Sequence, residues 1–436
     1  MKKVTSRAHA ALLLAGLILL GMALYLVRLA RNGGDWAAFY ANDSVYKNGV
    51  IDRGTVLDRD GLQLAFAGPE YFGYADDPAV RRACLHAVGD MSGNIGTGAL
   101  TAFRSKLIGW NFLTGTTGKG GTVKLSIDAD LNVTAYNALD GRNGAVLVYN
   151  YETGQILCMA SSRSFDPNYG FDADDSRYDG AYINRCISAS FVPGSVFKLV
   201  TLAAAIENIP DLYSQTFTCE GSFDVDGTEI TCTGVHGELT VEEALAHSCN
   251  CAFAQIALQL GGDRIAQYAE RLGLTESHEL NGIKTAAGSV ESAGNDLANV
   301  AWEGIGQYND MVVPYALLRL MGAIANGGVV KEPSLLCGKS NGSERLLSES
   351  TANALRSLMS YNVEYNYGSG NYPGLEMHAK TGTAEFGDGT SHAWFAGFIT
   401  NADAPLAFVV LVEHGGSGYG VASPIANTVL QQAVFG

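Results

Sequence analysis

Hydrophobic and polar positions alternate along this chain in a few recognisable patterns. From Ala10 to Val27 no residue carries a charge, and the stretch is about 27 Å long as a helix, enough to cross a bilayer core. No A-x-A cleavage site and no lipobox cysteine follows it, which predicts an uncleaved anchor. Further on, Val196-Phe197, Leu199-Val200 and Leu202–Ile206 form an apolar run around Lys198, and Pro193-Gly194 precede them, a loop entering a buried helix. Thr240 and Glu243 form a capping box that predicts another helix start, with Ser248-Cys249-Asn250 at that helix's end. Strand patterns occupy Gly144–Tyr149 and Gln155–Ser161, a hairpin turning at Glu152-Thr153-Gly154. Three more occupy Glu376–Glu385, His392–Thr400 and Leu406–His414, the first two joined by a turn at Gly387-Asp388-Gly389. Helices are predicted near Asp128–Leu139 and at Ala422–Phe435, where Ile425, Val429, Ala433 and Val434 share a face. A hairpin, a helical middle, three strands and a closing helix predict α+β layering, an antiparallel sheet covered by helices.

On these elements sit three short polar patterns. Ser195 and Lys198 are three residues apart, so on a helix they share a face. A serine hydroxyl is a weak nucleophile until a base removes its proton, and a lysine desolvated beside Phe197 can be neutral enough to do so. Ser248 can relay a proton, and the Asn250 amide offers both a donor and an acceptor to a substrate amide. Lys380-Thr381-Gly382-Thr383 lies in a strand. There Gly382 permits close approach of a substrate backbone, and the Thr383 N–H can join that of Ser195 in holding an oxyanion. Each pattern alone has an ordinary explanation, a helix cap, a loop or a solvated edge strand. Their order and setting describe an acyl-transfer site.

With these motifs the chain resembles the class B penicillin-binding proteins, membrane-anchored peptidoglycan D,D-transpeptidases. The likeness extends over most of the chain: Arg53-Gly54-Thr55-Val56-Leu57-Asp58-Arg59-Asp60-Gly61, Ser164–Asn168, Asn184-Arg185, His236-Gly237, Gly304–Gln307 with Pro314, Ala325–Gly328, and Lys380–Glu385 with Trp394–Phe398. The resemblance implies a five-stranded sheet with the motifs around a groove at its edge, Ser195 as acylated nucleophile and Lys198 as its base. It implies Ser248 and Asn250 as the second catalytic element, and Lys380 with Thr381, Gly382 and Thr383 as the wall that binds the substrate carboxylate and oxyanion. It further implies stem peptides ending in D-Ala-D-Ala as substrate, β-lactams as covalent inhibitors, no metal or organic cofactor, and a membrane glycosyltransferase as a partner. The pedestal is short, about 90 residues, as in the small anchored members. A D,D-carboxypeptidase, a β-lactamase or a β-lactam sensor would carry the same residues, and a silent wall-assembly scaffold would not require Ser195, Lys198 and Lys380 together.

The resulting division is a tail at 1–9, a transmembrane anchor at 10–27, a non-catalytic pedestal at 33–120 and a transpeptidase domain at 121–436. The Gly/Thr-rich stretch Thr114–Thr122 marks the last boundary; its Gly118-Lys119 lacks the remaining residues of a phosphate loop. Lys2, Lys3 and Arg7 precede the anchor against Arg28 and Arg31 after it, which orients the N-terminus inward. With 44 acidic against 28 basic residues, the formal charge of −16 argues against nucleic-acid binding. Of 8 cysteines, Cys219 and Cys232 flank a hairpin at Phe223–Ile230 turning at Asp226-Gly227, and a disulfide between them is one expectation. Cys249-Asn250-Cys251 has no His or Cys companion at metal-ligand spacing and reads as packing.

Overall fold

A computed structural model describes residues 2–39, 42, 45–47, 50–68, 71–116, 120–386 and 388–436. Residues 117–119 of the expected linker and Gly387 of the expected turn lie outside the described residues. The first helix, α1 (Lys2–Ala37), is longer than the apolar segment alone, and its leucines from Leu12 to Leu26 are exposed. It is the one helix among the described residues long and apolar enough to cross a membrane.

After α1 comes a small sheet of four strands, β1 (Gly54–Leu57), β2 (Gln63–Ala67), β3 (Phe72–Tyr74) and β4 (Thr122–Lys124), in the order β3-β2-β1-β4. β4 was expected on the catalytic side of the boundary, but it pairs in parallel with β1 of this sheet, Val56 opposite Val123. The chain thus leaves the small sheet from within it, β4 being one of its strands. Two carboxylates tie the small sheet region to the larger domain. Asp58 Oδ1 accepts from the Asp60 and Leu62 N–H groups at 2.9 and 2.8 Å, and its Oδ2 lies 3.4 Å from the Ala129 nitrogen at the start of α2 (Ala129–Ala138). Asp166 accepts a bidentate pair from Arg81, Nε at 2.8 Å and Nη2 at 2.7 Å, with both side chains buried.

The larger sheet consists of β5 (Gly144–Asn150), β6 (Ile156–Ser162) and three strands from the end of the chain. Between them lie α3 (Lys198–Asn208), the hairpin β7 (Ser222–Val225) and β8 (Thr228–Thr231), α4 (Val241–Ala246), α5 (Asn250–Leu260), α6 (Leu297–Glu303), α7 (Pro314–Ala325) and α8 (Glu349–Asn362). The chain then forms β9 (Met377–Glu385), β10 (Ser391–Ile399), β11 (Leu406–Val412) and α9 (Ser423–Phe435). The sheet is antiparallel throughout, in the order β6-β5-β11-β10-β9. Its central strands read as continuous apolar runs because both faces are covered. Successive side chains point to opposite faces. In β11, Ala407, Val409 and Leu411 join the helical core with α7, while Leu406, Phe408, Val410 and Val412 pack with α2 and α9. β9, last in the sheet, is left as an edge, and the helical middle closes against it.

Arg81 holds the Asp166 carboxyl below its ordinary range, through hydrogen bonding more than charge. A carboxylate with a depressed folded-state pKa contributes stability above its unfolded value, and this is lost as pH falls through the folded one. Arg81→Ala, which strands a buried carboxylate, is expected to destabilise the protein by about 3 kcal/mol near neutral pH. In urea unfolding the variant's deficit should shrink below the ordinary carboxylate pKa; a deficit unchanged with pH would refute the assignment.

Candidate active site

Ser195 lies on a 3-10 turn, Gly194–Val196, and Lys198 is the first residue of α3, so the nucleophile candidate stands one turn ahead of the helix rather than inside it. The turn is locked by Gly194. Its φ is +55°, its N–H donates to Gly306 O at 3.0 Å, and any Cβ there would collide with the Thr383 carbonyl oxygen. A left-handed backbone and direct contact with a strand both require glycine. Gly382 serves the same contact. A Cβ on it would stand 2.8 Å from Pro193 O and 3.0 Å from Val196, so the space it leaves belongs to the nucleophile turn and not to a substrate backbone as its sequence suggested.

Lys198 and Lys380 are fully buried, and their amines converge on one hydroxyl. Lys198 Nζ donates to Ser248 O at 2.6 Å, to Asn250 Oδ1 at 2.7 Å and to Ser248 Oγ at 3.3 Å. Lys380 Nζ donates to the same Ser248 Oγ at 2.9 Å and to Thr381 O at 2.9 Å. Burial pushes the Lys198 ammonium down to about 8, and burial reinforced by the charge of Lys198 pushes Lys380 well below its ordinary value. Two desolvated amines sharing a hydroxyl cannot both hold their protons at full strength, so near neutral pH the pair readily releases one.

Ser248 links α4 and α5 with φ +50°, a rare conformation for serine that turns its carbonyl and hydroxyl together toward the lysines. The expected capping box is formed at the start of α4, with Thr240 N donating to Glu243 Oε2 at 2.8 Å and Glu243 N to Thr240 Oγ1 at 3.3 Å. Asn250 also has partners within the protein. Its Oδ1 takes Lys198 and its Nδ2 donates to Thr231 O at 2.9 Å, so both ends of the amide bind protein.

β9 supplies the opposite wall. In an antiparallel edge strand alternate N–H groups face away from the neighbour, here those of Thr381, Thr383 and Glu385. Thr381 N donates to the Tyr367 hydroxyl at 2.8 Å, which also meets Thr381 Oγ1 at 2.8 Å. With its oxygen toward the Glu385 N–H at 3.0 Å and its nitrogen toward Glu385 O at 3.3 Å, the Gln307 carboxamide covers the other end. Thr383 lies between these two covered positions, beside Ser195. Tyr367 was not singled out in the sequence, where no spacing relates it to Lys380–Thr383; the fold brings it there from a turn after α8. A groove of about 630 Å³ runs along this wall, lined by Ser195, Ser248, Asn250, Thr381, Thr383 and Glu385 among others.

The expected Cys219–Cys232 disulfide is not formed, and both are free thiols. The residues are not cross-strand partners: β7 and β8 pair Ser222 with Thr231, whereas Cys219 sits in a separate ladder opposite Gly237. Cys249, read in the sequence as packing, caps α5 through its sulfur and lies 3.8 Å from Cys232 Sγ.

Residues 144–431 match the penicillin binding protein transpeptidase domain. The chain is 28% identical over 371 residues to the peptidoglycan D,D-transpeptidase PbpA of Mycobacterium tuberculosis, covering 75% of each chain. It also resembles penicillin-binding protein A from M. tuberculosis in its ceftriaxone acyl-enzyme complex, with TM-score 0.74 and 25% identity over 88% of this chain and 98% of that one. The D,D-transpeptidase domain of a peptidoglycan glycosyltransferase from Eggerthella lenta is similar at TM-score 0.76 and 25% identity, with the same coverage. An edge strand, two buried lysines on one serine and a glycine-locked nucleophile turn thus stand within a domain shared with these proteins, and the chain belongs to the penicillin-binding protein transpeptidase family as a class B member, a serine D,D-transpeptidase.

Proposed function

We propose a division of the D,D-transpeptidase reaction among the residues around the groove. A stem peptide ending in D-Ala-D-Ala lies along the β9 edge, its terminal carboxylate drawn to the Thr381 hydroxyl and to Lys380, whose proton the incoming negative charge and a neutral Lys198 restore. Ser195 Oγ attacks the penultimate D-Ala carbonyl while its proton passes to the neutral amine of Lys198. The electron pair of the carbonyl moves onto its oxygen, which takes hydrogen bonds from the Ser195 and Thr383 N–H groups. A donor of this kind contributes about 100- to 1000-fold in rate. Collapse of the tetrahedral intermediate breaks the peptide bond, and the departing D-Ala nitrogen receives a proton through Ser248 Oγ, which touches both lysines. The acyl ester on Ser195 is then attacked by an amine of a neighbouring stem peptide. Asn250 orients Lys198 in this scheme, and its second N–H and lone pair are left for the substrate amide.

The observation that carries this reading is the convergence of Lys198 and Lys380 on one serine hydroxyl, a connection a binding scaffold has no use for. A β-lactam enters the same cycle and stops at the ester, since its leaving group remains tethered. The more basic end of the anchor α1, with Lys2, Lys3 and Arg7, supports an orientation with that end inside and the groove outside the membrane. A membrane glycosyltransferase, if it partners this protein, would meet the segment between α1 and the catalytic domain.

Intact mass after benzylpenicillin treatment should show a single adduct, mapped to the peptide containing Ser195, and Ser195→Ala should abolish it with the fold retained by circular dichroism. An adduct on another residue would refute the assignment. Because neutral Lys198 is the base, the second-order rate of β-lactam acylation should rise about tenfold per pH unit below about 8 and level above it. Lys198→Arg, charged at every working pH, should lose about 100- to 10,000-fold in that rate and the pH dependence with it; stopped-flow acylation from pH 6 to pH 9, a range of about three units, measures both.

A further inference from the structure

Four side chains beside the groove take no part in the chemistry above. Cys219, Cys232, His236 and Cys249 bring one ligand atom each within 4.8 Å of one another. Cys219 Sγ and Cys232 Sγ lie 3.4 and 3.5 Å from His236 Nδ1, and Cys232 Sγ lies 3.8 Å from Cys249 Sγ. A disulfide needs about 2.05 Å between sulfurs. Tetrahedral zinc, with bonds of about 2.3 Å to sulfur and about 2.0–2.1 Å to nitrogen, separates two sulfurs by about 3.8 Å and a sulfur from a nitrogen by about 3.5 Å. These three spacings are those of a coordination shell, and the remaining pairs lie within 4.8 Å.

We propose that Cys219, Cys232, Cys249 and His236 form a closed structural zinc site that clasps the β7–β8 hairpin to the Ser248–Asn250 loop. Three thiols and one imidazole fill all four tetrahedral positions, which leaves none for water and marks the site as structural rather than catalytic. Soft sulfur donors select zinc over magnesium or calcium. On binding, three S–H bonds give up their protons to solvent, three S–Zn bonds and one N–Zn bond form, and neutral His236 leaves a net charge of −1. Backbone N–H groups already face the sulfurs, Asn250 N to Cys232 Sγ at 3.3 Å and Ala252 N to Cys249 Sγ at 3.4 Å, the contacts that steady thiolates at a helix start.

The ligands come from three places: the strand ending at Cys219, the chain after β8 with Cys232 and His236, and the N-cap of α5. Cys249 is the middle residue of the Ser248-Cys249-Asn250 triplet, and Thr231, next to Cys232, accepts from Asn250. Metal there would fix Asn250 from both sides, and with it the acceptor that orients Lys198. Intervals of 13, 4 and 13 residues match no common zinc spacing, which is why the cluster escapes a sequence reading.

The full-length protein, purified in detergent under reducing conditions without chelator, should hold one zinc per chain by elemental analysis. X-ray absorption should find a shell of about three sulfurs at 2.3 Å and about one nitrogen at 2.0–2.1 Å. Cobalt replacement should give intense thiolate charge-transfer and tetrahedral absorption. Cys249→Ser keeps an oxygen to cap α5 while removing a soft ligand, so it should fold and lose zinc affinity at least tenfold, as should Cys219→Ser. Neither zinc nor cobalt bound by the reduced wild-type protein, a first shell without sulfur, or full zinc affinity in a folded Cys249→Ser would overturn the site. These readouts are independent of penicillin acylation, so zinc present without acylation would refute the catalytic assignments alone, and acylation without zinc this proposal alone.

Discussion

Desolvation of two lysine amines against a single serine hydroxyl is the constraint on which the rest of the structure depends. In water each amine would keep its proton and neither could act as a base. Enclosed together, with Ser248 between them, they yield a proton at ordinary pH and can still take it back. That enclosure has to be built from three distant parts of the chain, and most of the fold can be understood as the means of doing so. The cost of burying the amines is offset locally by carbonyl and amide acceptors: Ser248 O, Asn250 Oδ1 and Thr381 O.

The sheet supplies the rigid side of the enclosure. Because α7 fills one face and α2 with α9 the other, β10 and β11 are pinned between two cores, and β9 is held to β10 along its whole length. Tyr367 and Gln307 cover its outward positions on either side of Thr383 and so confine where a peptide can pair with the edge. Gly194 then sets Ser195 against this strand through direct backbone contact, fixing the proposed nucleophile and oxyanion donors relative to each other.

The helical side is less self-evidently rigid, since Ser248 sits in a strained link between two helices and its neighbours come from a short hairpin. The capping box of α4 and the cysteine cap of α5 restrain that link from both ends. A metal clasp among Cys219, Cys232, His236 and Cys249 would add a third restraint where the hydrogen bonds alone leave the hairpin held mainly by Asn250.

Much of this was legible in the residues. Local spacing determines that Ser195 stands one turn ahead of Lys198, that Thr240 and Glu243 start a helix, and that the runs from Gly144 and from Met377 onward are strands, because each depends on neighbours within a few positions. The order of the three motifs was enough to indicate the chemistry. Tertiary structure alone decided that β4 belongs to the small N-terminal sheet, that Gly382 makes room for Pro193, and that Asn250 binds Lys198 and Thr231. It likewise brought Tyr367 to the strand edge and three cysteines around His236, since contacts between residues far apart in the chain have no period or spacing and exist only once packing has chosen which surfaces meet.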